Sequence, residues 1–247
     1  QRILYYIYGE KFYKRLNYQW SDYPSRFELI QHIIDKKKYN NYLEIGCDDD
    51  ENFSKKPSRQ TIVQNTIDRK NYKSYLEIGC FHNELFDFIK CEKKIGIDPV
   101  SGGTHRMTSD EFFLSNKEKF DCIFIDGLHV YDQVKRDIVN SSKFLNENGF
   151  ILVHDCLPRS LSSQAVPRYR LTWNGDVWKA IVDLRRDPNL EIFTCIADEG
   201  ISVIQNKKNS NILKLDKKIS ELKFKDFYYN HKEYMRPISF SQFKEKY

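Results

Sequence analysis

Residues 120–131 read FDCIFIDGLHVY. Asp121 is followed by Cys122, Ile123, Phe124 and Ile125, an apolar run without alternation, which suits a strand buried on both faces of a parallel sheet. The run stops at Asp126-Gly127 and a helical period takes over. Val130, Val134, Ile138 and Leu145 are spaced for one face of a helix over residues 130–145, with Asp132 and Arg136 as an i,i+4 pair on the other. In an open α/β sheet, ligands sit just beyond the carboxyl ends of the strands. Asp126 and His129 stand at that place, so this turn is the expected reacting centre.

Downstream, Asn148-Gly149 is a stop signal, and residues 150–153 form another buried strand ending at His154-Asp155. Neighbouring strand ends bring these two residues close to Asp126. Two carboxylates so placed suit a hard divalent cation such as Mg2+, and the imidazole of His154 beside them leaves room for a softer metal. Residues 156–174 then form a long loop of the kind usually retained for function. Its Arg159, Arg168 and Arg170 are read as solvated, or as contacts for an anionic substrate. Residues 176–185 follow as a helix with Val177, Ile181 and Leu184 inward, and residues 191–197 and 201–205 flank Asp198-Glu199-Gly200 as a hairpin.

Upstream of the quoted stretch, residues 94–98 form a strand ending on Asp98, and the chain before it repeats itself. Residues 24–47 read PSRFELIQHIIDKKKYNNYLEIGC and residues 57–80 read PSRQTIVQNTIDRKNYKSYLEIGC, identical at 14 of 24 positions with an offset of 33. Each copy is a helix followed by a strand. Two copies without a third argue for a tandem duplication of one α-β unit rather than a solenoid. The second copy is expected to supply the sheet strand, because one short helix then leads from Gly79 to the strand ending at Asp98. The first copy meets Asp48-Asp49-Asp50-Glu51 instead, which places residues 42–45 at the sheet's periphery or outside it.

The bulk numbers exclude some classes. A formal net charge of +5, from 40 basic and 35 acidic residues, is spread along the chain, whereas a dedicated nucleic-acid binder concentrates its basic residues. No apolar run approaches the ~20 residues of a membrane span. The six cysteines show no CxxC or metal-ligand spacing and several lie in apolar runs, so they are read as reduced and the compartment as cytoplasmic.

Strand–helix alternation closing on an antiparallel hairpin resembles the class I S-adenosylmethionine (SAM)-dependent methyltransferases. YLEIGC resembles that family's first motif. The pattern FDxIFIDGxHxY, followed by a helix and GFILVHD, is similar to the subgroup called methyltransferase domain 24 and to the related metal-dependent sugar O-methyltransferases. The resemblance implies an α/β fold: a Rossmann-like sheet of seven strands, mostly parallel with an antiparallel last strand and helices on both faces. It implies a methyltransferase domain over residues 57–205. Residues 1–56, aromatic at first and then holding the first copy, precede it, and a peripheral polar tail follows at 206–247. For the site, it implies cofactor contacts at Glu77, Gly79, Cys80, Asp98, Ser109 and Asp110, catalysis by His129 and Asp126, and a divalent cation on Asp126, Asp155 and His154. The implied activity is O-methylation of a hydroxyl, on a sugar or glycan. One position departs from the family pattern: a second glycine is usual where Phe81 stands, and a bulky side chain there obstructs the cofactor unless the turn is reshaped. Two other classes carry weight, a non-catalytic methyltransferase-fold partner and a nicotinamide oxidoreductase. The latter is disfavoured because the first turn lacks G-x-G-x-x-G.

Overall fold

The computed structural model describes residues 57–168 and 171–246. The first copy of the duplicated unit, with the expected position of residues 42–45, lies outside them. The second copy forms α1 (Arg59–Lys70) and β1 (Ser74–Ile78). Ser58 caps α1 by accepting the Thr61 N–H, and Asn71, at φ 53°, closes it in the left-handed conformation. Then come α2 (Glu84–Phe88), β2 (Lys93–Ile97), α3 (Ser109–Ser115), β3 (Phe120–Ile125), α4 (Tyr131–Lys143) and β4 (Leu145–Val153). The chain continues through α5 (Val177–Leu184), β5 (Leu190–Cys195), β6 (Ile201–Asn206), α6 (Phe224–Met235), β7 (Pro237–Ile238) and α7 (Phe240–Lys246). No helix among the described residues is long and apolar enough to cross a membrane.

The seven strands lie in the order β2-β1-β3-β4-β6-β5-β7. β2, β1, β3 and β4 are mutually parallel. β6 runs antiparallel to both its neighbours, and β7 adds a short parallel edge beside β5. This is the expected mostly parallel sheet, with the hairpin strand β6 reversed. The second copy supplies the strand beside β3, pairing Ile78 with Ile125.

Successive residues of the central strands feed opposite faces. Leu76, Ile78, Ile123, Ile125, Ile151 and Val153 pack with α3, α4, α5 and α6. Tyr75, Cys122, Phe124, Phe150 and Leu152 pack with α1, α2 and α7. Burial on both faces explains why β3 and β4 read as unbroken apolar runs.

Two local expectations are corrected. Helix α4 ends at Lys143, and Leu145 is the first residue of β4, paired with Phe120. Arg136 turns to Asp110 of α3, at 3.5 Å, rather than to Asp132. In both cases a tertiary partner outcompetes a helical spacing that the sequence also satisfies.

Candidate active site

The carboxyl ends of β1, β2 and β3 open into a cavity of about 710 Å3. Its lining includes Glu77, Gly79, Cys80, Asp98, Ser109, Asp110, Asp126 and His129, so every expected cofactor and catalytic residue borders one space. His154 and Asp155 stand behind Asp126 at the end of β4.

At one end of this space, α3 starts on a capping box. Thr108 Oγ1 accepts the Glu111 N–H and the Glu111 carboxylate accepts the Thr108 N–H. That start presents Ser109 and Asp110 to the cavity. The Ser109 hydroxyl donates to Asp137 Oδ1 at 2.6 Å, and the Gln133 amide donates to the same oxygen at 3.0 Å. Burial nevertheless pushes the Asp137 carboxyl up to about 6.

Asp98 closes β2 and organises the next turn. It accepts the Phe81 N–H at 2.9 Å on one oxygen, and the Val100 and Ser101 N–H groups at 2.7 and 2.9 Å on the other. Burial opposes ionisation, but these donors prevail and hold the carboxyl below its ordinary value. Glu77 is 1% exposed. Burial raises its carboxyl to about 7, against the opposing pull of the hydroxyl that Tyr75 donates to it at 2.5 Å. The Cys80 thiol is also raised by burial and is inert at neutral pH. Phe81 takes φ 45° with its ring largely exposed. The side chain expected to obstruct the turn is therefore accommodated by a left-handed backbone.

At the end of β3, Asp126 Oδ1 lies 3.2 Å from His129 Nε2 and 3.3 Å from His154 Nδ1. His129 Nδ1 lies 2.8 Å from the Trp173 carbonyl and 3.1 Å from Asp155 Oδ2. His154 Nδ1 lies 3.5 Å from Asp155 Oδ2, and its other nitrogen is the same distance from Asp198. One ligand atom each from Asp126, His154 and Asp155 falls within a 4.8 Å span. Burial would lift the Asp126 carboxyl, yet His154 and His129 hold it well below the carboxylate range. Burial would equally favour neutral imidazoles, and the facing carboxylates reverse this at both His129 and His154.

Sequence reasoning missed several neighbours. The Arg59 guanidinium reaches Asp126 at 3.5 Å, and its backbone N–H donates to Asp198 at 3.1 Å. The one signal for it was the Pro-Ser-Arg retained in both copies of the repeat. Trp173 stacks on His129 with ring centroids 5.3 Å apart, and buried Asn174 donates to Asp155 at 2.7 Å. Gly175 lies against the His129 backbone so closely that a side-chain carbon would stand 1.7 Å from that carbonyl oxygen. The loop arginines take internal partners. Arg159 pairs with Glu199 at 3.2 Å, and Arg168 lies 5.7 Å over the Trp173 ring and donates to the Leu171 carbonyl. Arg170 lies outside the described residues.

Residues 69–156 match the model of a family described as methyltransferase domain. No curated protein matches the sequence. Among solved structures, the chain is similar to the S-adenosylhomocysteine (SAH)-bound methyltransferase PaMTH1 of Podospora anserina, at 17% identity and a TM-score of 0.48. That likeness covers 75% of this chain and 98% of the other. It is also similar to an O-methyltransferase of Bacillus cereus in complex with SAH, at 11% identity and a TM-score of 0.45, over 74% of this chain and 92% of the other.

Proposed function

We propose that this chain, whose residues 69–156 match the model of a methyltransferase domain, moves a methyl group from SAM to a hydroxyl oxygen of a sugar or glycan. The observation that carries the reading is a coincidence of place. The family match, the cavity and the acid–histidine turn fall on the same strand ends, with Asp98, Asp126 and His129 all inside the matched stretch and all lining the cavity.

SAM, when bound, supplies a methyl carbon already made electrophilic by its sulfonium. The protein's work is then to bind, align and deprotonate. Glu77 meets the ammonium of the methionine moiety, and the turn at Gly79 lets backbone approach it, with Cys80 Sγ as part of the wall. Asp98 would offer the ribose hydroxyls the acceptor position that its three backbone donors leave on Oδ2, and Ser109 and Asp110 would border the adenine. His129, fixed by the Trp173 ring and carbonyl, takes the proton from the acceptor hydroxyl.

The donor set of Asp126, Asp155 and His154 fits a divalent cation, two hard oxygens with one borderline nitrogen. Such an ion would acidify and orient the hydroxyl. Carboxylates engaged in that way would favour a proton on His129 less strongly than the free pair does.

The test is turnover of methyl-labelled SAM against a panel of sugars, sugar nucleotides and glycans, with mass spectrometry for the methyl ether. His129→Ala should lower kcat by roughly 10²–10⁴-fold with SAH affinity unchanged. Near-wild-type turnover in that variant removes the histidine from the mechanism, and a protein that neither binds nor consumes SAM overturns the whole reading.

A further inference from the structure

His154 presents its two ring nitrogens to different carboxylates. Nδ1 lies 3.3 Å from Asp126 and 3.5 Å from Asp155, the two other members of the donor set. Nε2 faces Asp198 Oδ2, at 3.5 Å. The His154 side chain is 4% exposed, and Nε2 is a buried polar atom without a hydrogen bond of ordinary geometry. A buried donor needs an acceptor, and Asp198 is the one the fold supplies.

Asp198 is firmly anchored. It stands in the turn between β5 and β6 at φ 48°, and its Oδ2 accepts the Arg59 N–H from the first turn of α1 at 3.1 Å. The same turn is fastened to the chain just beyond Asp155. There the Cys156 and Leu157 N–H groups donate to the Gly200 and Glu199 carbonyls at 3.1 and 2.9 Å. A side-chain carbon on Gly200 would stand 2.5 Å from Leu157, so the two segments are in direct contact. Asp198 itself is outside the donor set and, among the described residues, is not one of those lining the cavity.

An imidazole that ligates a cation through one nitrogen carries its proton on the other, and an acceptor for that proton fixes both tautomer and ring orientation. With Asp126 and Asp155 on the Nδ1 side, Nδ1 is the ligating atom and Nε2 keeps the proton.

We infer that Asp198 is a positioning residue for the cation site: it accepts the Nε2 proton of His154 and so holds the ring with its Nδ1 lone pair toward Asp126 and Asp155. The inference rests on the reading of Asp126, His154 and Asp155 as a divalent-cation site.

The probe is Zn2+ alone, titrated calorimetrically into the full chain after stripping with EDTA. Asp198→Asn keeps an oxygen for the Arg59 N–H and a residue type that tolerates the left-handed conformation. Its melting temperature without metal should stay within about 2 °C of wild type, while its Zn2+ affinity falls roughly 10–100-fold, the usual effect of losing such a partner. His154→Asn removes the ring and leaves Asp198 nothing to orient. In that background Asp198→Asn should change Zn2+ affinity by less than about twofold. A loss of the same factor in both backgrounds would overturn the inference, since Asp198 would then act through charge or fold and not through His154. Wild-type affinity in Asp198→Asn would overturn it as well. Nitrogen-15 spectra of the histidine rings in Zn2+-loaded wild type give an independent reading, with the His154 signals assigned by their loss in His154→Asn. They should show a metal-bound Nδ1 and a protonated Nε2, and ligation through Nε2 would overturn the inference while leaving the cation reading intact. Absence of Zn2+ binding by wild type would overturn both together.

Discussion

A side-chain carbon on Gly79 would stand 2.2 Å from the Asp126 carbonyl oxygen, so the turn leaving β1 presses directly on the turn leaving β3. This contact brings the first-motif turn and the acid–histidine turn to one cavity. Gly79 also holds φ +90°, a conformation that side chains resist. Gly79→Ala should therefore cost more than ~2 kcal/mol in chemical denaturation and abolish SAH binding, because the two turns must separate. An unchanged unfolding midpoint would show that they part easily.

The cation reading gives a second expectation. Protein stripped with EDTA should lose turnover and regain it with Mg2+ or Mn2+. His154 adds a nitrogen to two carboxylates, and such a set should retain Mn2+ or Zn2+ more tightly than Mg2+ in equilibrium dialysis. Asp155→Ala should weaken that retention without changing the fold of the sheet. Full turnover in chelator would leave His129 acting without a metal.

Asp137 gives a pH-dependent expectation. Its carboxyl titrates at about 6 in the folded chain against an ordinary value of 3.8, so between these values the folded state holds the extra proton. Its contribution is most favourable below pH ~4 and is lost as pH rises through about 6. The loss amounts to about 3 kcal/mol at most, from the size of the displacement. Asp137→Asn keeps an oxygen to accept from Ser109 and Gln133 and cannot ionise. It should match wild type in urea denaturation at low pH and exceed it at pH 7. Equal stability at both pH values would show that the buried carboxylate is better solvated than its surroundings indicate.

Much of the fold was legible because burial on both faces leaves a plain mark. The runs at 122–125 and 150–153 admit little but parallel strands, and βαβ spacing chose the second YLEIGC over the first. The error at Leu145 has a physical cause. It lies seven residues after Ile138 and so extends the helical period, yet pairing with Phe120 draws it into the sheet. The site divides in the same way. Asp98, Asp126 and Asp155 announce themselves as acids that end apolar strands. Arg59 and Asp198 do not, because their link spans 139 residues of sequence and exists only once the sheet is assembled. Trp173 and Asn174 sit in a loop with no period to read, where the arginines drew attention instead.

Glu77 carries the last expectation, which also separates the two copies of the repeat. Its carboxyl titrates at about 7, raised chiefly by burial. If it receives the ammonium of SAM or SAH, binding favours the ionised form, and the proton must leave first whenever the pH lies below that value. SAH affinity should then rise with pH, by up to about tenfold per unit below 7, and level off above it. Glu77→Gln removes the charge while leaving an oxygen for the Tyr75 hydroxyl, so it should bind weakly and with a flat profile over the same range. Glu44 occupies the same position in the first copy of YLEIGC, but β1, the strand paired with β3, comes from the second copy. Glu44→Gln should accordingly reproduce the wild-type affinity and its pH dependence. Titration calorimetry at pH 6, 7 and 8 on the three proteins decides the matter. A flat wild-type profile would take Glu77 out of contact with the ammonium, and a profile flattened by Glu44→Gln would assign that role to the first copy.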